Sequence, residues 1–441
     1  MKNEKKVLPH QEELLSPSAK VTYNSLSRDS VGLEVKIAEK NFKRVFSVKR
    51  QSDGAFGDFW WNFLTGDLAI SAPPGSIQLN SVDLFCATGG LSLGVNMAGG
   101  FLGASLVSRL AVDVDTRALE VYRHHNKFAE IFAGSVEELV DYQVRGAGES
   151  AKFAYEPELT EIGRKISPNQ VDVVMGGPPC QGHSTMNVRT RHDDPRNKLY
   201  LAAVAYAVAT QAKTVIIENV TGVLKDKNSV VFSAIKLLQN AGYFVTKDVL
   251  AADQVGWPQT RKRFFLIASK IEFDIRLPDF KPAIERHNLP LSWVIGDLEI
   301  LPQANIMNST PELSRENQER IEFLHSEGVK NLPLHLRPKS HQEGTSFMTV
   351  YGKLDWDTPS GTITTGFLSP GRGRFIHPTQ PRALSPHEAA RIQGFPDGYF
   401  PLNTLVPEMR RSELAKWIGD AVPSILGFYV GIVALSPHVQ R

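Results

Sequence analysis

The chain has 441 residues, with 49 Lys+Arg against 47 Asp+Glu and a formal net charge of +2. That length exceeds one ordinary core and suggests two or three domains. Near-neutrality excludes binding to nucleic acid by bulk charge, so any such contact must come from local basic patches. The two cysteines, Cys86 and Cys180, exclude a disulfide framework and a four-cysteine zinc site. Neither a secretory signal nor an apolar run of bilayer length is read, and a soluble intracellular protein is expected.

Residues 1–78 form an N-terminal extension of unknown role. Its first fifty residues carry 11 Lys/Arg and 6 Asp/Glu, which fits either a basic arm that touches phosphate or a solvated terminus. Phe59, Trp60, Trp61 and Phe63 make an aromatic knot expected to pack on the next domain. Pro73-Pro74-Gly75 reads as a linker. Ser81 to Phe85 then reads as a strand, followed by the turn Cys-Ala-Thr-Gly-Gly and an apolar helical stretch to Ala98. A second strand, Arg109 to Val112, ends at Asp113. Strand, glycine turn, helix and an acidic strand end are the parts of a nucleoside-binding unit. Glu130 to Ala133 reads as a third strand, and residues 144–168 as a polar insertion.

Val171 to Ser184 is the stretch around which the chain is organised. Five residues read as a buried strand. Gly176-Gly177-Pro178-Pro179 then stops it, because glycine permits the tight bend and proline fixes φ. Cys180 is thereby expected just past the carboxyl end of a strand, where open α/β sheets bind their ligands. A polar segment, His183 to Lys198, carries Arg189, Arg191 and Arg196. An apolar helix, Lys198 to Thr210, leads to a strand, Thr214 to Ile217, that ends in Glu218-Asn219-Val220. Further on, Arg261 and Arg263 in Gln-Thr-Arg-Lys-Arg share one face of an extended segment. From about Lys281 to Gly371 the α/β rhythm stops and no strong helical period is seen. Ser385, three residues before Glu388, is placed to cap a helix through a capping box.

Several of these segments occur together in one family. Asp-Leu-Phe-x-x-x-Gly-Gly, Pro-Pro-Cys-Gln-Gly, Glu-Asn-Val, Gln-x-Arg-x-Arg, Arg-x-Leu-Ser-Pro-x-Glu-x-Ala-Arg-Ile-Gln-Gly-Phe-Pro and Ile-Gly-Asp-Ala-Val resemble, in order, the motifs of bacterial DNA cytosine-5 methyltransferases. The likeness runs from Ser81 to the C-terminus. It implies an α/β fold with a doubly wound, mostly parallel Rossmann-like sheet and a second, smaller target-recognition domain. The catalytic and cofactor domain would span 79–275, completed by 411–441, with target recognition in 276–410.

The resemblance also implies roles. Cys180 would be the nucleophile and Glu218 the acid, with Arg263 and, less directly, Arg261 supporting base and acid. S-adenosylmethionine would lie against Asp83, Phe85, Gly89, Gly90 and Asp113, with Val114, Pro179, Asp420 and Ala421 completing its site. Gln181, Ser184, Arg189, Arg191, Arg337 and Arg372 would meet DNA. Cys86 is read as a packing residue. The sequence departs from the family at Ala87 (usually Gly), Ser135 (usually Asp) and Asp420 (usually Asn). The implied partners are duplex DNA and a separately encoded cognate restriction endonuclease, with no membrane and a monomer on DNA in the bacterial cytoplasm. Two other readings stand beside this one: an RNA cytosine methyltransferase on the same scaffold, and a catalytically inactive DNA-binding regulator.

Overall fold

The computed structural model describes residues 18–49, 53–179, 198–227, 229–342, 349–401 and 409–439. Their centre is a seven-stranded sheet built from β4 (Ile77–Leu84), β5 (Ala104–Asp113), β6 (Glu130–Ala133), β7 (Val173–Gly176), β8 (Thr214–Asn219), β9 (Phe244–Ala251) and β10 (Lys262–Ser269). The order across the sheet is β9-β10-β8-β7-β4-β5-β6. The strands from β8 to β6 are parallel, and β10 is antiparallel to both β8 and β9. The chain winds outward from β4 in one direction and from β7 in the other, so their carboxyl ends flank the crevice where such sheets bind ligands. Strand β7 is buried along its whole length, as a central parallel strand covered on both faces must be. Strands β4 and β8 are longer than hydrophobicity alone indicates. Ile77 and Gln78 pair with Ala104 and Ser105, while Glu218 and Asn219 pair with Phe265 and Phe264. Glu218 therefore belongs to the strand itself.

Helices cover both faces. On one, α2 (Gly90–Leu102) crosses the last long helix, Ser424–Leu435. The crossing is close because glycine lines it: a Cβ on Gly94 would fall 2.1 Å from the Ser424 carbonyl oxygen. The stretch Arg411–His438, two helices joined through residues 421–423, is long and apolar enough to cross a membrane by length and composition. However, 94% of its apolar window is buried inside the fold, so it belongs to the core.

The N-terminal extension is neither an arm nor a solvated tail over residues 19–47. It forms an antiparallel meander, β1 (Ala19–Ser27), β2 (Ser30–Ile37) and β3 (Lys40–Ser47), followed by α1 (Gly54–Leu64). Val21, Leu33, Val35, Ile37 and Phe42 point into the same core as α2 and the last helix. Trp60 meets Trp257 and Phe428 edge-on at centroid distances of 5.7 and 5.5 Å, so the aromatic knot packs as expected. Its basic side chains serve the fold: Lys40 pairs with Asp274 (2.9 Å) and donates to the Ser436 carbonyl (2.8 Å). Arg44 donates to the Gly100 and Ser71 carbonyls. Gly100 lies at the end of α2 that leads into the start of β5. The meander thus covers the amino-terminal edge of the sheet, opposite the crevice.

Between β10 and the last helices lies a region of little regular structure with a small core of its own, made by Ile321, Leu324, Leu332, Val350, Tyr351 and Ile376. It contains a twelve-residue helix, Arg315–Ser326, which the sequence reading missed. Only Ile321 and Leu324 of that helix are fully covered, so its periodic signal is short. The capping box at Ser385 is present: the Glu388 N–H reaches Ser385 Oγ at 3.2 Å, and the Ser385 N–H reaches Glu388 Oε2 at 2.7 Å.

Deleting everything before Ser71 would strip the aromatic cover from Trp257 and Phe428. That shortened chain is expected to lose cooperative thermal unfolding and to aggregate. In the full chain, Trp60→Ala should cost about 3–5 kcal/mol, measured by urea unfolding; an unchanged midpoint would mean that α1 contributes nothing to the shared core.

Candidate active site

The turn after β4 is held in an unusual conformation. Phe85 (φ +55°) and Ala87 (φ +45°) are left-handed without being glycine, and Gly89 (φ +91°) follows. Left-handed backbone costs a residue with a Cβ about 1–2 kcal/mol, so the surroundings must fix it. They do: the Ala87 N–H donates to Asp113 Oδ2 at 2.9 Å, and Tyr399 Oη donates to the Thr88 carbonyl at 2.7 Å. Gly89 has no room for a side chain, because a Cβ would lie 3.0 Å from both Tyr122 and the Tyr399 hydroxyl. Asp113 Oδ1 also accepts from the Asp115 N–H, which leaves each carboxylate oxygen a further lone pair for a ligand.

This turn forms one wall of a cleft of about 410 Å³ of open space. Asp83, Phe85, Cys86, Gly90 and Leu91 line one side, with Gly177, Glu218, Asp420, Ala421 and Val422 across from them. Val114, next to Asp113, is 77% exposed. Asp83 is buried, and its Oδ2 has no hydrogen-bond partner. Burial pushes its carboxyl up to about 7, only partly offset by Ser92 and Tyr122. Burial also pushes the Cys86 thiol well up, which suits packing and opposes nucleophilic use.

The other half of the site comes from β7, β8 and β10. Asn219 Nδ2 donates to the Pro178 carbonyl at 3.2 Å, tying the end of β8 to the proline turn. Gly177 must lack a side chain, since a Cβ would sit 3.1 Å from Glu218 Oε2. Glu218 is buried, and its Oε1 pairs with Arg263 Nε at 2.7 Å. Burial raises its carboxyl above the usual range, while the charges of Arg263 and Arg261 pull it partly back. A carboxyl raised in this way and lining the cleft is placed to exchange a proton with a partner bound there.

Asp83, Phe85, Gly90, Glu218, Asp420 and Ala421 thus share one cleft, with Gly89 and Asp113 in its supporting turn and Arg263 behind Glu218. Pro179 follows the tethered Pro178. Two expectations meet a different geometry, and a third does not. Arg261 does not reach the cleft: it is 1% exposed and donates to the carbonyls of Ile363 and Gly419. Arg337 is 4% exposed and donates to the Leu332 carbonyl, so its side chain supports the small core instead of facing DNA. Arg372 is exposed, as a DNA contact would be, with its stem lying along Gly366. Cys180, Gln181, Ser184, Arg189 and Arg191 lie outside the described residues. Sequence reasoning missed Asn219 and Tyr399 as supports. Asn219 was visible in Glu-Asn-Val, but nothing in the sequence tells that Tyr399 reaches a turn three hundred residues away.

A doubly wound sheet with a glycine turn, an acidic strand end and a buried, arginine-held carboxyl in one crevice is the framework of an α/β enzyme with a ligand site at its strand ends. Comparison with known proteins specifies the family. The family model of C-5 cytosine-specific DNA methylases matches residues 79–432. The Type II methyltransferase M1.BsuMI of Bacillus subtilis is 36% identical over 80% of this chain and 80% of its own. The Type II methyltransferase M1.HphI of Haemophilus parahaemolyticus is 28% identical over 83% of this chain and 89% of its own. Among solved structures, the Entamoeba histolytica methyltransferase EhMeth shares the fold, with a TM-score of 0.52 at 16% identity over 82% of this chain and 99% of that one. The chain belongs to the C-5 cytosine-specific DNA methylases and is a DNA cytosine-5 methyltransferase.

The raised Asp83 carboxyl makes a testable statement about stability. Between the unfolded value near about 4 and the folded value of about 7, the folded state holds a proton that the unfolded state has lost. Stability from this group is full below that window and falls as pH rises through it. Asp83→Asn should flatten this part of the profile, seen by urea unfolding of the cofactor-free protein across about pH 4–8. An identical slope in wild type and variant would show that Asp83 is already ionised.

Proposed function

We propose that this chain methylates cytosine within a specific duplex DNA sequence, with Cys180 as nucleophile, Glu218 as acid and the cleft beside β4 as the S-adenosylmethionine site. What carries the reading is the Glu218–Arg263 pair at 2.7 Å, on a strand end tethered by Asn219 to the turn that immediately precedes Cys180.

Carbon-5 of cytosine is a poor nucleophile. Addition of the Cys180 thiolate to carbon-6 breaks the ring's conjugation and makes carbon-5 electron-rich. Negative charge then develops towards ring nitrogen-3. A protonated Glu218 holds a proton for that atom, and Arg263 fixes the carboxyl through Oε1 so that Oε2 faces the cleft. S-adenosylmethionine, held by Asp83, Phe85 and the Gly89–Gly90 turn, by Asp113 and Val114, and by Pro179, Asp420 and Ala421, supplies the methyl group. Methyl transfer breaks the sulfur–methyl bond and would leave S-adenosylhomocysteine; loss of the carbon-5 proton to solvent then expels the Cys180 thiolate, and the nitrogen-3 proton returns to Glu218, restoring the base. Since carbon-6 is hidden in stacked DNA, the base must be flipped out at a cost of a few kcal/mol. The segment carrying Gln181, Ser184, Arg189 and Arg191 is proposed to stabilise that state.

The cleft suits the cofactor in two respects. Its floor holds a buried carboxyl oxygen without a partner, which a ligand N–H or hydroxyl would satisfy. Val114, which follows Asp113 at the end of β5, is exposed and is proposed to offer an apolar face for a flat ring. Asp420, at the usual Asn position, has its carboxyl raised by burial, and in the protonated form it can donate as an amide does. Residues 276–410 are proposed to choose the target sequence, with exposed Arg372 as a DNA contact. The Type II relatives lead us to propose a separately encoded restriction endonuclease as functional partner, the chain acting as a monomer on DNA in a bacterial cytoplasm.

Cys180→Ala should abolish methyl transfer while DNA binding persists. A duplex with 5-fluorocytosine at the target should trap a covalent adduct at Cys180 in the unmutated protein alone, and an adduct mapped to Cys86 would reject the assignment. Glu218→Gln should lower single-turnover methylation by ~100- to 10,000-fold with little change in S-adenosylhomocysteine affinity. A variant that loses cofactor affinity instead would place Glu218 in the wrong half of the cleft.

A further inference from the structure

The segment leading into β10 presents alternate residues inward: Trp257, Gln259, Arg261 and Arg263. Only Arg263 meets the catalytic carboxyl. Trp257 Nε1 donates to the Ile392 carbonyl at 2.8 Å, and Gln259 Nε2 donates to Gln393 Oε1 at 2.9 Å. Gln393 Nε2 in turn donates to the carbonyls of Ile418 (2.6 Å) and Ala421 (3.2 Å). Arg261 Nη2 donates to the carbonyls of Gly419 (3.0 Å) and Asp420 (3.4 Å), and its Nη1 to that of Ile363 (2.6 Å).

All four of the carbonyls at residues 418–421 belong to one place. Helix Arg411–Asp420 ends there, and a helix end leaves its last carbonyls without intrahelical partners. Here two buried side chains from distant segments satisfy them. Asp420, Ala421 and Val422 at this helix end line the cleft together with the glycine turn. The two segments are in contact: a Cβ on Gly90 would be 3.0 Å from the Val422 carbonyl oxygen. Behind the helix end, Gly419 lies against the backbone of Thr364 and Thr365, where a Cβ would fall 2.2 Å from the Thr365 nitrogen.

We propose that Arg261 and Gln393 are positioning residues that set the cofactor-side wall of the cleft by capping this helix end, and that Arg261, unlike Arg263, does not touch the reacting base. This division of labour rests on the cofactor assignment above. Arg261 holds a helix end whose position decides how well the cofactor fits, so its loss should appear in binding and not in the chemical step.

The test uses the full chain. Arg261→Lys keeps the positive charge that bears on Glu218 but loses the forked reach. Gln393→Met keeps the volume but loses the hydrogen bonds. Calorimetric titration with S-adenosylhomocysteine, without DNA, should show affinity weakened on the order of tenfold to a hundredfold in each. At saturating cofactor and DNA, kcat should stay close to wild type. Arg263→Lys should do the reverse, losing kcat while keeping S-adenosylhomocysteine affinity. If Arg261→Lys or Gln393→Met retains wild-type affinity but loses kcat, the proposal is overturned. Should Arg261→Lys fail to fold, Gln393→Met carries the same two expectations. A wild-type protein that binds S-adenosylhomocysteine yet transfers no methyl group would sink the functional reading, and the binding comparison would still decide this one.

Discussion

A carboxyl taken out of water at the end of a central strand is the constraint on which the rest of the site depends. Burial disfavours the charged form of Glu218, and an unpaired buried charge would be untenable. Arg263 answers part of that cost and leaves the carboxyl raised. The balance is set by the sheet. Glu218 and Arg263 lie on adjacent antiparallel strands, with Glu218 opposite Phe265 and Arg263 opposite Leu250 on the far side. A one-residue slip of β10 against β8 would turn Arg263 to the other face. The register of an ordinary strand pair thereby fixes the proton affinity of the acid.

The same problem recurs where the smaller region joins the sheet domain. Arg382 grips Glu388 through both guanidinium ends at 2.8 and 2.7 Å, and Arg391 grips Asp397 at 2.6 and 2.7 Å while reaching Asp297. Although burial pushes the Asp397 carboxyl up, His387 and Arg391 hold it down to about 2. Such buried pairs add little net stability relative to apolar packing, but breaking one is costly because it strands a charge. Their effect here is to permit one arrangement of the joint. Arg391 also lies over the Trp61 ring, and the Asp397 N–H donates to the Leu64 carbonyl. The N-terminal helix is therefore a third party to a junction formed by motifs more than three hundred residues further on.

Local chemistry was legible in the sequence wherever the determining neighbours are close in the chain. The glycine turn, the proline stop after β7, the capping box at Ser385 and the placement of Glu218 at a strand end all follow from residue types and spacing. The meander was also written there, in Val21 and Tyr23 and in Leu33, Val35 and Ile37 at period two. Its connections hid it: the turns at Arg28-Asp29 and Ala38-Glu39 carry none of the Asn-Gly or Asp-Gly signals of a tight hairpin, and Ala38 adopts φ +48° without being glycine. A count of lysines and arginines then suggested an arm. For Arg261 and Arg263 parity correctly put both on one face, but it could not say what each meets. Their partners, at 218, 363 and 419, come together only through the topology.

Three departures from the family pattern show how a fold absorbs a changed side chain. Ala87 stands in a left-handed turn where glycine would be unstrained. It is held by the bond from its N–H to Asp113, the residue that also ends β5, so the strain is borne by a contact the site needs in any case. Ser135 caps the short turn Val136–Glu138: its Oγ accepts from the Glu137 N–H at 3.3 Å and Glu138 returns the bond. An aspartate could make the same cap, so the backbone course survives the loss of its charge. Asp420 keeps the size of asparagine, and burial raises its carboxyl against the pull of Lys416 and Arg261. At Ala87 and Asp420 the backbone is fixed by bonds that do not involve the altered side chain, whereas at Ser135 the altered side chain itself makes the cap. Of the three, only Asp420 places a changed polar group in the cleft, whose shape is left to Tyr399, Asp113 and the capped end of the penultimate helix.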